Sequence, residues 1–145
     1  MPQLTFPVTG TDLLVDVRVN LDATELARLR AATCPAPASV EVRGLLDTGT
    51  DITGVAPHIL QQLGAVPRRN THTHGVGGRV PTRLFDVSLS IWDSSQPHLP
   101  WFTIPHLRVM ELSLGIPCDV LIGMDVLLQC RLLLDGPGRQ FTLDF

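Results

Sequence analysis

Prolines and glycines, twelve of each among 145 residues, break this chain into short stretches, many of which alternate apolar and polar side chains. Such punctuation fits a β-rich domain in which helix is the minority state. Leu13 to Asn20 (LLVDVRVN) sets Leu13, Val15, Val17 and Val19 against polar or charged neighbours, the period-2 pattern of a strand with one buried face. Asp22 to Ala32 changes to helical spacing, with Asp22 or Thr24 as N-cap and Leu26 and Leu29 on one side. Cys34 to Ser39 (CPAPAS) reads as a polyproline-like connector before Val40 to Leu46 resumes strand alternation. Residues 20–39 are therefore expected to be an insertion between paired strands. Pro57 to Leu63 suits a helical turn, and residues 70–91 suit two strands around a glycine cluster, His74 to Gly78. Residues 99–112 and 117–122 suggest further strands, and Met124 to Gln129 a short helix. Asp135 to Gly138, between two apolar-rich arms, signals a C-terminal hairpin.

A chain of 145 residues suits a single domain, 1–145, and falls short of two complete lobes. A mechanism that needs two lobes must borrow a second chain. Hydrophobic residues make up 44% and charged residues 17%, enough apolar material for a core. Eleven basic residues against fourteen acidic ones leave a formal charge of -3, which lacks the electrostatic footprint of a nucleic-acid binder. No nucleic-acid partner is expected. All eleven bases are Arg, and Lys and Tyr are absent, which removes a lysine Schiff base, a P-loop lysine and a tyrosine acid or nucleophile. Cys34, Cys118 and Cys130 have no CxxC spacing, and MPQLTFPVTGTD has neither a basic start nor a long apolar run. A reducing, cytoplasmic setting is expected, with the thiols as small packed side chains that carry no chemistry. Apolar stretches such as Val126 to Leu128 and Leu132 to Leu134 are far below the roughly 20 residues of a membrane span. No membrane partner is expected.

The most informative stretch is GLLDTGTDIT, Gly44 to Thr53, in which an apolar strand delivers Asp47 into a tight turn. Gly49 can adopt backbone angles denied to other residues and leaves its N–H free to face the carboxylate, and Thr48 and Thr50 add hydroxyls. Taken alone, Asp-Thr-Gly reads more readily as a surface turn. Two other segments change its meaning: Gly75-Val76-Gly77-Gly78 between strand-like arms, and Val120-Leu121-Ile122-Gly123-Met124-Asp125, an apolar run that ends in a glycine and a helix. In that order, the three segments resemble the retroviral-type aspartic proteases, the retropepsins, including their cellular and bacterial relatives. The resemblance spans about residues 40–134.

The resemblance implies an all-β fold, a closed, mostly antiparallel acid-protease barrel with one or two short helices, in which Leu121-Ile122-Gly123 passes beside the strand bearing Asp47. It implies an aspartic endopeptidase in which Asp47, Thr48 and Gly49 form the catalytic turn. Leu121 and Ile122 wall the site, while also filling the core, and Gly75, Val76, Gly77 and Gly78 form a flap over a bound peptide. Such chemistry uses two carboxylates that share a proton and forms no covalent intermediate. Since the chain holds a single Asp-Thr-Gly, the second carboxylate is expected from Asp47 of the partner subunit in a homodimer. Asp51 stands where the family often keeps a polar residue that holds the substrate backbone and pairs with an arginine. The family's helix arginine is replaced here by Met124, which leaves Arg43 and Arg139 as candidate partners. Asp125 is expected to cap the last helix, and Thr48 to lock the paired turns. In viral members, interleaved chain termini hold the dimer. Phe141, Leu143 and Phe145 alternate with polar residues at the end of this chain, a strand with a sticky edge unless it is paired, and the C-terminal hairpin is expected in the dimer interface.

Two rival readings remain at this stage. His72 and His74 would share a strand face, but no third ligand stands at a convincing spacing, and no metal or other cofactor is expected. A dimeric peptide-binding or scaffolding module of the same fold, weak or silent in catalysis, is the stronger alternative. Thr50 replaces the alanine common in viral members. A hydroxyl donor to an ionised carboxylate favours the charged form, so an acidic pH optimum is expected. Thr50→Ala should move the pH profile of peptide cleavage upward, as read from initial rates, and an unmoved profile contradicts the role given to the hydroxyl.

Overall fold

Val15, Val17, Val19 and Leu21 are buried while their neighbours stay half exposed, so the alternation read in the sequence becomes strand β2 (Leu14–Leu21) with one face in the core. The computed structural model describes every residue except Val76 and Leu114; the expected role of Val76 at the flap tip lies outside the described residues. A short strand β1 (Gln3–Pro7) precedes β2, and helix α1 (Ala23–Ala31) follows it. The Asp22 side chain caps α1 by accepting from the Thr24 N–H at 2.8 Å. Leu26 and Leu29 pack against the core from this otherwise exposed helix.

The chain then forms β3 (Val40–Leu46), β4 (Gly54–Val55), α2 (Pro57–Leu63), β5 (Arg69–Gly75), β6 (Gly78–Trp92), β7 (Phe102–Glu111), β8 (Val120–Ile122), α3 (Met124–Leu127), β9 (Arg131–Asp135) and β10 (Gln140–Asp144). Helix α2 buries Ile59, Leu60 and Leu63 and stops at Gly64, whose φ of 67° is the left-handed C-cap that glycine adopts without strain.

One sheet runs in the order β2-β3-β8-β4-β7-β6-β5, and β2 also pairs with β6. That last pairing closes six strands into a barrel and leaves β5 outside the closure as one arm of a long hairpin with β6. The barrel is mostly antiparallel, with two parallel contacts, β3 with β8 and β4 with β7. Along β6 the first six residues stay largely exposed against β5, and from Leu84 onward the side chains enter the core. The β6–β7 pairing has a register shift between Val87 and Leu89. No helix among the described residues is long and apolar enough to cross a membrane.

A second sheet has the order β1-β10-β9. Phe141 and Leu143 of β10 and Leu4 of β1 are fully buried, and Phe6 stacks on Phe141 with ring centroids 5.5 Å apart. Strand β10 presents no sticky edge, because β1 and β9 of its own chain occupy both of its sides. Strand β1 gives little sequence signal, since just two alternating apolar residues, Leu4 and Phe6, lie between Pro2 and Pro7.

Candidate active site

Strand β3 reaches the site through a close approach. A methyl group on Gly44 would stand 2.6 Å from Val17 Cγ2 and 3.1 Å from Ile122 Cδ1, so the absence of a side chain there lets β2, β3 and β8 pack together. Parallel pairing sets Leu45 beside Leu121 and Leu46 beside Ile122, and the Asp47 N–H donates to the Ile122 carbonyl at 2.9 Å. Asp47 therefore leaves the barrel from a backbone held on its side. One carboxylate oxygen, Oδ1, accepts from the Gly49 N–H at 2.8 Å, and the other, Oδ2, accepts from the Thr50 hydroxyl at 2.8 Å. Both donors orient the half-buried carboxylate. A side chain on Gly49 would begin 3.1 Å from Oδ1, crowding that contact. Thr48 is exposed at the turn.

Beneath the turn lies a buried latch. Thr53 is completely buried; its hydroxyl donates to Asp125 Oδ1 at 2.7 Å and accepts from the Gly123 N–H at 3.1 Å. The Thr53 N–H donates to Asp125 Oδ2 at 3.0 Å. Two backbone bonds complete the tie, Met124 N–H to the Thr50 carbonyl at 2.7 Å and Asp125 N–H to the Asp51 carbonyl at 3.1 Å. Gly123 is required at this point, since a Cβ would stand 2.7 Å from the Thr50 oxygen and 3.0 Å from the Ile52 carbonyl carbon. Asp125 also accepts from the Val126 N–H at 2.9 Å in the first turn of α3, so one carboxylate ties that turn to the segment that follows Asp47.

No protein-family model matches the sequence, and no curated protein matches it significantly. Among solved structures, the crystal structure of a retropepsin-like aspartic protease from Rickettsia conorii matches with 10% identity over 99% of this chain and 90% of its own, at a TM-score of 0.59. EIAV protease complexed with an inhibitor matches with 22% identity over 86% of this chain and 95% of its own, at a TM-score of 0.52. The fold is retropepsin-like.

Within this retropepsin-like fold a cleft of about 480 Å³ opens beside the Asp47 turn. Gly49, Thr50, Asp51 and Leu121 line it on one side and His72 and His74 of the β5–β6 hairpin on the other. Gly75 ends β5, and Gly77 and Gly78 are exposed at the hairpin tip, where Gly78 takes a φ of 99°. Of Leu121 and Ile122, expected together to wall the site and to fill the core, Leu121 lines the cleft and Ile122 is fully buried in the core. The period of two along β8 explains the difference, because neighbouring residues face opposite sides. The Asp51 side chain is exposed. Neither candidate arginine reaches it within the chain: Arg43 stands 3.3 Å from Asp16, and Arg139 donates to the Gly10 carbonyl at 2.8 Å. His72 lies 3.2 Å from Arg79, and no group of three His, Cys, Asp or Glu among the described residues is arranged to hold a metal ion.

Thr53, Met110 and Glu111 are among the cleft and support residues not anticipated from the sequence. Arg83 holds Glu111 in a two-pronged contact at 2.7 and 2.8 Å, and that hydrogen bonding keeps the carboxyl below its ordinary range. The Cys118 thiol is pushed up, first by burial and then by the charges of Asp119 and Asp47, which disfavours the reactive thiolate. Thr53→Val should lower unfolding stability by about 1–3 kcal/mol, because the buried Gly123 N–H and Asp125 lose a partner, while Thr53→Ser should keep most of it. Chemical denaturation with an unchanged midpoint for the valine variant would contradict the latch.

Proposed function

We propose that the protein is an aspartic endopeptidase whose site is completed by a homodimer, with Asp47 and Asp47 of the partner subunit as the catalytic pair. The observation that carries this reading is the Asp47 carboxylate itself, oriented by the Gly49 N–H and the Thr50 hydroxyl beside a cleft under a β-hairpin, and present once per chain. A carboxylate in this setting is poised for acid–base work. Two of them, brought within reach of one water, differ in proton affinity because like charges at close range cannot both ionise with ease.

In the proposed reaction the ionised carboxylate takes a proton from water as its oxygen attacks the scissile carbonyl carbon. The protonated partner donates to the carbonyl oxygen, giving a neutral tetrahedral diol. Return of a proton to the amide nitrogen and collapse of the diol break the C–N bond. Thr48 rigidifies the paired turns. The substrate is a peptide or protein segment in extended form, held by backbone hydrogen bonds in the cleft, with Thr50, Asp51 and Leu121 on its floor. The tip of the β5–β6 hairpin, with Gly77 and Gly78, closes over it as a lid that excludes water.

Incubation with a mixed peptide library across acidic and neutral pH tests the reading. Cleavage by the parent chain, with a specific activity that rises with protein concentration, is expected, and Asp47→Asn should reduce it by at least roughly 10²-fold. Cleavage that persists in the variant rejects the proposed chemistry, and a dimer that binds peptides without cleaving them supports a scaffolding module instead.

A further inference from the structure

Two carboxylates line the cleft beside the Asp47 turn, Asp51 and Glu111, and they differ in one respect. Arg83 binds both oxygens of Glu111, at 2.7 and 2.8 Å, so that charge is met within the chain. Asp51 is exposed, and the ion pairs formed by the described residues all use other carboxylates. Its backbone is nonetheless fixed. The Asp51 carbonyl accepts from the Asp125 N–H at 3.1 Å, and the Thr50 carbonyl before it accepts from the Met124 N–H at 2.7 Å. One wall of the cleft therefore holds an unneutralised charge on a backbone with little freedom.

The same cleft exposes aliphatic surface. Ile52 and Val80 line it at 39% exposure and Ile116 at 40%. We propose, resting on the reading of this cleft as a peptide site, that it selects substrates with an arginine or lysine side chain. The aliphatic stem lies on Ile52, Val80 and Ile116, and the cationic head meets Asp51. Long basic side chains join an apolar stem to a charged head, so one side chain covers both kinds of surface at once.

Selection follows from what the other side chains would do in that place. A purely apolar one covers the aliphatic wall but takes water from Asp51 without replacing it, which costs free energy when a charge is left unpaired. An acidic one sets a like charge against Asp51, a repulsive element that rejects it. The neighbouring bases do not compete for Asp51. Arg83 is engaged with Glu111, and Arg79 donates to Nδ1 of His72 at 3.2 Å. A guanidinium has donors only, so that nitrogen of His72 is the acceptor. His72 and His74 stand on β5, which belongs to the hairpin across the cleft. The cation that meets Asp51 therefore has to arrive with the ligand.

Matched peptides test the selection. Each position flanking the cleaved bond is varied in turn among Arg, Lys, norleucine and Glu at one pH, norleucine keeping an aliphatic stem without the charge. At one position kcat/KM should favour Arg and Lys over norleucine at least about fivefold, with Glu poorest. Asp51→Asn should abolish that ratio, Asp51→Glu should keep it, and Asp51→Arg should turn it in favour of Glu. The same peptides are titrated by fluorescence anisotropy against Asp47→Asn chains with and without Asp51→Asn, which reads binding without turnover. Cleavage by the parent with no Asp51-dependent preference for a basic side chain at any position overturns the inference and leaves the endopeptidase reading standing. Preferential binding of basic peptides that disappears with Asp51→Asn, while the parent cleaves nothing, supports the inference and fails the endopeptidase reading alone. Neither cleavage nor preferential binding fails both.

Discussion

The hydrogen bonds between Thr53, Gly123 and Asp125 govern the geometry on which the site depends. The segment from Asp47 to Thr53 contains no strand ladder of its own, so its shape comes from the element it leans on. Asp125 spends one carboxylate on three donors, the Thr53 N–H, the Thr53 hydroxyl and the Val126 N–H. Complete burial of Thr53 makes these bonds obligatory, since an unpaired polar group in that position is costly. The close seat of Gly123 against the Thr50 and Ile52 backbone completes the contact. Barrel closure then fixes β3 and β8 side by side, and the Asp47 carboxylate receives its two local donors from a turn that has little freedom left.

Local patterns in the chain were readable wherever an element carries its own period. Val15, Val17 and Val19 gave β2, Val40 to Leu46 gave β3 in full, and Asp22 gave the cap of α1. Elements defined by distant partners were not readable. Strand β4 has two residues and no period; it pairs with β7 and β8, and Gly54 leaves room for Leu112, whose Cδ2 would lie 2.2 Å from a Cβ at that position. Thr53 looks like any threonine in a polar turn, because its partner Asp125 is 72 residues away. At the end of the chain the alternation of Phe141 and Leu143 announced a strand with one buried face, yet alternation does not tell which strands flank it. The order β1-β10-β9 placed it in the middle. At the site, Leu121 and Ile122 divide the two expected roles between them, because neighbours in a strand face opposite sides.

The site likewise divides into a readable part and a hidden one. Asp47, Gly49 and Thr50 could be grouped from the sequence because their contacts are two and three residues long. Met110 and Glu111 border the same cleft from the end of β7, whose parallel contact with β4 no local pattern announces. What the described residues present is an oriented carboxylate beside a cleft, with the β5–β6 hairpin across it. These features support the proposed reading, in which each chain supplies one carboxylate to a shared site.

Subunit poisoning tests that central claim most directly. Parent and Asp47→Asn chains are mixed at constant total concentration, equilibrated so that subunits exchange, and assayed for peptide cleavage. If each active site needs one Asp47 from each chain, activity should follow the square of the parent fraction. A fall that is linear in the parent fraction would mean that a chain works with its own aspartate alone, and would contradict the shared site.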